Sequence, residues 1–266
     1  MPGDTATRTA GFTARVRHAE PVMGTVVSFD VPVAARHDGS LDAAISWLHW
    51  VDRVFSPFRP DSDVSRLADG ELSVDGCVPE MAEVIEACAF VRDLSGGYFT
   101  ASPWGRFDPS GYVKGWSVER AAAILSDAGS ASHLVNGGGD VQCAGGRPGA
   151  DPEPPWRVGI ADPLRRGRLA LVVEARDCGV ATSGTAERGA HIVNPRTGHA
   201  AAGLASVTVA GPGLALADAC ATAAFAMGPD LARDWMETVD GYEAFAVTET
   251  GETWQSSGFG GYVAKD

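Results

Sequence analysis

The chain lacks any run approaching the about 18 consecutive apolar residues that a membrane span requires, so no membrane span is expected. Residues 1–20 hold no continuous apolar segment of the kind that marks an export signal, and the chain as written reads as cytoplasmic. Cysteine is scarce and dispersed. The 5 residues Cys77, Cys88, Cys143, Cys178 and Cys220 are odd in number and contain no C-x-x-C pair, which argues against both a disulfide framework and a zinc site. Positive charge is also short: 21 Lys and Arg face 34 Asp and Glu, a net charge of −13. Such a balance repels a polyphosphate backbone, and nucleic acid is excluded as a partner. Neither a G-x-G-x-x-G turn nor a Walker loop occurs, and no repeat at a fixed period is present.

What is there suffices for one substantial core. With 266 residues, 45% of them hydrophobic and 21% charged, the chain can bury one core or two fused lobes sharing one. An acidic enzyme acting on an anionic nucleotide would need local compensation from a metal ion or from helix N-termini.

Residues 1–18 are polar and read as a loose tail before a domain spanning 19–266. Thr25, Val27, Phe29 and Val31 alternate as a half-buried strand does. Leu41, Ile45, Leu48, Val51, Val54 and Phe55 fall at helical spacing, with Ser40 in the N-cap position. A second helix is predicted over Pro79 to Ser95, stopped by Gly96-Gly97, and a third over Trp116 to Asp127. β-rich runs follow at His133 to Val135, Trp156 to Ile160, Leu169 to Ala175 and Ser206 to Ala210. Helices over Leu214 to Met227 and Asp230 to Val239 precede a hairpin of Ala244 to Thr248 and Thr253 to Ser256. Residues 144–155 read as a loop. Strands grouped by hairpin turns predict an α+β fold and not a doubly wound parallel sheet.

Four segments carry chemistry. In LALADACATAAFAMG, Asp218 and Thr222 stand one turn apart on a helix that is apolar nearly all round. An ionised carboxylate buried there requires a cation, a base or several donors, and Mg²⁺ suits a carboxylate beside hard oxygen ligands. The plainer alternative is a first-turn Asp favoured by the helix dipole, with Thr222 bonded back to a carbonyl. FDPSGYVKGW places Asp108, Ser110, Gly111, Lys114 and Gly115 before the third helix as a phosphate seat, against the alternative of a Ser-capped entry with an exposed lysine. Asn136-Gly137-Gly138-Gly139-Asp140 alone is an ordinary turn. In ATSGTAERGAHIVNPRTG, Ser183, His191 and Asn194 are polar candidates, and His191 is either a general base or a hydrogen-bonded core histidine. Phe58, Tyr98 and Phe99 lie off the apolar stripes, where aromatic rings either stack on a ligand or pack.

Taken in order, Met23-Gly24-Thr25, SPFRPDSDVSRL, DPSGYVKGW, NGGGD, TSG…HIVNPRTG and DACATAAFAMG resemble the ApbE family of FAD:protein FMN transferases. The resemblance implies an α+β, T-fold-like single domain of two related lobes with a flavin cleft between them. It also implies FAD as substrate, Mg²⁺ as cofactor, and transfer of FMN through its phosphate to a Thr or Ser of an acceptor protein with release of AMP. Carried over by position, the metal ligands are Asp218, Thr222 and the Gly111 carbonyl. Met23, Phe58, Tyr98, Phe99, Thr100, Asp108, Lys114 and Ile192 match flavin-contact positions. His191 matches the base that deprotonates the acceptor hydroxyl, and Asp218 is the second catalytic residue.

Three features depart from the family pattern: Thr100 and Asn194 stand where Asp is usual, and the stretch from Ser183 to His191 is short. Two alternatives stay open: a Mg²⁺-dependent FAD pyrophosphatase yielding FMN and AMP, in which water takes the acceptor's place, and, on the lost carboxylates, a non-catalytic FAD carrier. No segment of the chain resembles the family's acceptor motif, so self-modification is not expected.

Overall fold

The computed structural model describes residues 14–150, 152–185 and 192–265. Within them the chain begins as a strand pair, β1 (Arg15–Val22) and β2 (Thr25–Pro32). Met23 (φ 54) and Gly24 (φ 69) form the turn, the left-handed pair that suits the right-handed twist of a hairpin. Residues 15–18, expected to belong to a loose tail, are part of β1. β1 is an edge strand with little apolar alternation, held by polar pairing: the Arg15 and Arg17 guanidiniums both meet the Asp30 carboxylate of β2.

A short helix α1 (Ala34–His37) leads into α2 (Ser40–Phe55). Ser40 is not the N-cap expected of it. That position belongs to Gly39, whose φ of 81° a side chain would resist, and the Asp38 carboxylate accepts the Ser40 N–H at 2.9 Å. The SPFRPDSDVSRL segment contains α3 (Asp63–Ala68), whose cap is the Ser62 hydroxyl accepting the Ser65 N–H at 3.0 Å. α4 (Pro79–Leu94) lies where expected. α5 (Ser110–Asp127) starts at Ser110 and not at Trp116, so Gly111 and Lys114 sit inside its first turns.

β3 (His133–Gly137) and β4 (Asp140–Ala144) form a hairpin around the glycine turn. β5 (Trp156–Ala161) and β6 (Leu169–Ala175) form a separate two-stranded sheet, followed by β7 (Cys178–Gly184). A small pair, β8 (Val193–Asn194) and β9 (His199–Ala200), precedes β10 (Leu204–Gly211). Then come α6 (Leu214–Met227), α7 (Pro229–Met236), β11 (Glu243–Thr248) and β12 (Thr253–Gln255). The main sheet runs β1-β2-β3-β4-β7-β10-β11-β12, antiparallel throughout, as the α+β reading required.

One sheet face meets α2, α5 and α6 through Val27, Phe29, Leu48, Val118, Val207 and Ala221. The other face is covered near its centre by β5 and β6, with Val158, Ile160 and Val173 against Val141, Val180 and Phe245. β10 is buried along its whole length because it has a layer on each face. Most of α6 is buried too, and its small side chains let α5 and the strands approach closely. Two side chains from elsewhere satisfy its first free N–H groups: Gln142 Oε1 accepts from Leu214 at 3.0 Å, and Glu119 Oε2 accepts from Ala215 at 2.7 Å.

Candidate functional site

The closest approach of α5 and α6 is at Gly115. A Cβ there would come within 2.6 Å of the Leu214 carbonyl oxygen and 2.7 Å of Asp218 Cβ. Only glycine permits this crossing, and the crossing delivers Asp218 to the N-terminal turns of α5.

Asp218 is 1% exposed. Its Oδ2 accepts the Gly115 N–H at 2.9 Å, and its Oδ1 lies 3.2 Å from Lys114 Nζ. The same ammonium donates to Asp140 Oδ2, and Asp140 Oδ1 accepts the Thr182 N–H at 2.9 Å. One cation thus stands between two buried carboxylates. Burial pushes the Asp218 carboxyl up to about 7; Lys114 opposes that rise and Asp140 adds to it. For Lys114, burial favours the neutral amine, and the charges of Asp218 and Asp140 overcome it, holding the ammonium above the ordinary lysine value.

One ammonium does not compensate two carboxylates, so the site has room for further positive charge. Oxygen donors surround it. Thr222, one turn along α6, places its Oγ1 3.4 Å from Ser183 Oγ on β7. Gly111 faces the same turn, since a Cβ on it would lie 3.7 Å from Thr222 Cγ2. The Gly115 N–H reaches the Asp218 carboxylate at 2.9 Å, and the Gly111 carbonyl, with two lone pairs, has accepting capacity beyond a single helical hydrogen bond. Among the described residues no group of three or more His, Cys, Asp and Glu is disposed to hold a metal. A cation here would draw on one carboxylate plus hydroxyl and carbonyl oxygens, a set that fits a hard divalent ion and not a thiophilic one.

The other expected site residues arrange themselves as follows. Met23 reaches α5, its Sδ 3.6 Å from Ser117 Oγ, and Ser117 in turn donates to the Lys114 carbonyl at 2.8 Å. Phe99 is buried with its ring against Gly111, so it supports the first turn of α5 from beneath. Asp108 Oδ1 accepts the Ser110 N–H at 3.0 Å and so caps the start of α5. Thr100 Oγ1 accepts the Ser102 N–H at 3.0 Å in the loop before it. Tyr98 lies beneath Arg196, whose guanidinium carbon is 4.6 Å from the ring centroid and whose Nη2 donates to the Gly96 carbonyl at 2.8 Å. Ile192 is buried, and Phe58 is 92% exposed. His191 lies outside the described residues.

Two participants were not singled out from sequence. Asp140 sits in the NGGGD block, which read as a turn and as one of the family-like motifs but gave Asp140 no role, and Arg196 sits in the NPRTG turn. A concavity of about 350 Å³ on β1–β3, lined by Arg17, His18, Phe29 and Leu134, includes none of these residues.

Comparison with known proteins follows the geometry. The model of the ApbE family matches residues 23–103 and 102–246. The FAD:protein FMN transferase of Rhodobacter capsulatus is 28% identical over 248 residues, which is 88% of this chain and 43% of that protein. The chain therefore spans less than half of that relative's length. The flavinyl transferase ApbE of Pseudomonas stutzeri, in its apo form, superposes with a TM-score of 0.77 at 25% identity, covering 94% of this chain and 96% of that one. The ApbE protein of Thermotoga maritima superposes at 0.83 with 23% identity, covering 95% and 100% respectively, and shares the fold.

Proposed function

The chain belongs to the ApbE family, and on that premise we propose that it is a Mg²⁺-dependent FAD:protein FMN transferase. It cleaves FAD, esterifies FMN through its phosphate to a Thr or Ser hydroxyl of an acceptor protein, and releases AMP. The observation that carries this reading is the Lys114–Asp140–Asp218 cluster at the α5–α6 crossing, an under-compensated pair of buried carboxylates ringed by oxygen donors.

Asp218, Thr222 and the Gly111 carbonyl are the residues that would hold Mg²⁺. Bound there, the ion would neutralise phosphate charge and align the leaving phosphate. Lys114, 28% exposed at its side chain, presents its ammonium to the pyrophosphate from the first turns of α5. Met23, Phe58, Tyr98, Thr100, Asp108 and Ile192 would surround the flavin, and Phe99 would keep Gly111 in place. His191 takes the proton of the acceptor hydroxyl as the new O–P bond to the FMN phosphorus forms. The P–O–P bond of FAD breaks in the same displacement, and AMP carries away the bridging oxygen.

The test is to incubate the protein with FAD, Mg²⁺ and an acceptor domain bearing a candidate threonine, and to weigh the products. An acceptor heavier by one FMN residue, lost on chelation, supports the proposal. Free FMN and AMP beside an unmodified acceptor would assign the displacement to water, and unchanged FAD would refute catalysis.

A further inference from the structure

Asp140 is 1% exposed, carries a charge, and takes no part in the ligand set argued above. Its place is fixed at both oxygens. Oδ1 accepts the Thr182 N–H at 2.9 Å, tying it to β7, and Oδ2 accepts from the Lys114 ammonium. Its backbone opens β4 directly after the glycine turn, where Gly137 pairs with it across the hairpin. A carboxylate held this way cannot follow a moving partner.

The two carboxylates that share Lys114 are not equivalent. Asp218 accepts the Gly115 N–H on one oxygen, and the Thr222 hydroxyl, one turn along the helix and 3.4 Å from Ser183 Oγ, stands beside it as a further ligand for a second cation. It can exchange the ammonium for another cation without losing compensation. Among the described residues Asp140 has only the Thr182 N–H besides Lys114. If Lys114 left it for solvent, a buried charge would remain unpaired, which is far costlier than the same loss at a surface. Lys114 is therefore bound to stay with Asp140 and free to leave Asp218. The lysine itself is partly exposed and has three donors, so it can hold Asp140 with one and meet an incoming anion with the others.

We propose that Asp140 is a positioning residue, which pins the Lys114 ammonium at the mouth of the Asp218 site so that it yields Asp218 on ligand binding and turns to the substrate pyrophosphate. The inference rests on the flavin-transferase reading. A plain structural ion pair would hold the fold together and leave ligand affinity alone; a positioning residue changes affinity, and does so only through Lys114.

The experiment is a double-mutant cycle on Mg²⁺-dependent FAD binding, measured by calorimetry on the intact protein without an acceptor. Asp140→Asn keeps the shape and the acceptor for the Thr182 N–H but removes the charge. It is expected to weaken FAD binding about tenfold, an effect of the size of one lost charge-assisted contact, with a melting temperature that stays close to wild type. Lys114→Gln is expected to weaken it at least as much, and the double variant no more than Lys114→Gln alone, because Asp140 has nothing to position once the ammonium is gone. Unchanged affinity in Asp140→Asn, or losses that simply add in the double variant, would overturn the inference. Should Asp140→Asn fail to fold, Asp140→Glu, which keeps the charge but displaces it by one methylene, takes its place in the cycle, with the same expected weakening alone and no added loss on the Lys114→Gln background. The wild type separates the two possible failures. Absence of Mg²⁺-dependent FAD binding by the wild type removes the flavin-transferase reading and this inference with it, whereas wild-type binding with an indifferent Asp140→Asn removes the inference alone.

Discussion

Gly115 of α5 and Leu214 of α6 are packed backbone to backbone: a Cβ on the glycine would sit 2.6 Å from the Leu214 carbonyl oxygen. No rotamer relieves that contact, because the obstructing atom is main chain. Gly115→Ala must separate the two helices, and with them Lys114 from Asp218. We expect a loss of about 1–3 kcal/mol in stability, the usual cost of overpacking, and a larger loss of Mg²⁺-dependent FAD binding. Urea unfolding and calorimetry on the same variant check both; an unmoved midpoint would mean the helices have slack that the structure does not show.

Asp218→Ala removes the carboxylate but leaves Lys114 paired with Asp140. The protein should stay folded. Flavin transfer to an acceptor should fall on the order of a hundredfold or more, the scale on which loss of a central electrostatic group acts. Mass analysis of the acceptor over a time course reads the rate, and a variant that transfers at the wild-type rate would remove Asp218 from the mechanism.

Arg196 joins the turn after β8 to the end of α4 by stacking on Tyr98 at 4.6 Å and donating to the Gly96 carbonyl at 2.8 Å. Arg196→Ala forfeits both contacts, together about 1–2 kcal/mol. The apparent affinity for FAD should weaken by up to about tenfold, since Tyr98 loses the group that fixes its ring. Arg196→Lys keeps the charge without the planar fork and should recover only part of it. Titration of FAD against the three proteins decides the matter, and equal affinities would confine Arg196 to the surface.

His133 is wholly buried on β3, with Nδ1 3.1 Å from Ser130 Oγ and, among the described residues, no well-formed hydrogen bond to Nε2. Burial holds its pKa below the ordinary histidine value of 6.5, more strongly than its hydrogen bonds raise it. The sign follows directly. Below that value the unfolded chain takes up a proton that the native state refuses, so the stability due to the neutral ring is full above about pH 6.5 and declines as the pH falls through the depressed value. The slope cannot exceed about 1.4 kcal/mol per pH unit for one group. Denaturation midpoints at pH 7.5 and 5.5 should therefore differ more for the wild type than for His133→Asn; an equal difference would mean the acid sensitivity lies elsewhere.

Local pattern determined much of this protein. Leu214–Met227, apolar on nearly every side, had to be a buried helix, and Asp218 on it had to find compensation, because an unpaired buried charge is not tolerated. The hairpin of β11 and β12, helix α4 and the antiparallel α+β class were likewise written in period and turn chemistry. The ordered motifs pointed to the family. Where polar residues stand in place of an apolar pattern, as in edge strand β1, the sequence carried no signal, since the pairing of Arg15 with Asp30 is made by the neighbouring strand. The start of α5 was hidden for a similar reason: its entry is held by Asp108 and by Phe99 packed under Gly111. Asp140 could be read as the end of a glycine turn within a family-like block, without a partner. Its partners Lys114 and Thr182 lie 26 and 42 residues away, and only the packing of β4 on β7 and of α5 on α6 brings those charges together. Charge compensation in a buried site is a property of distances, and distances between remote residues are settled by the tertiary fold.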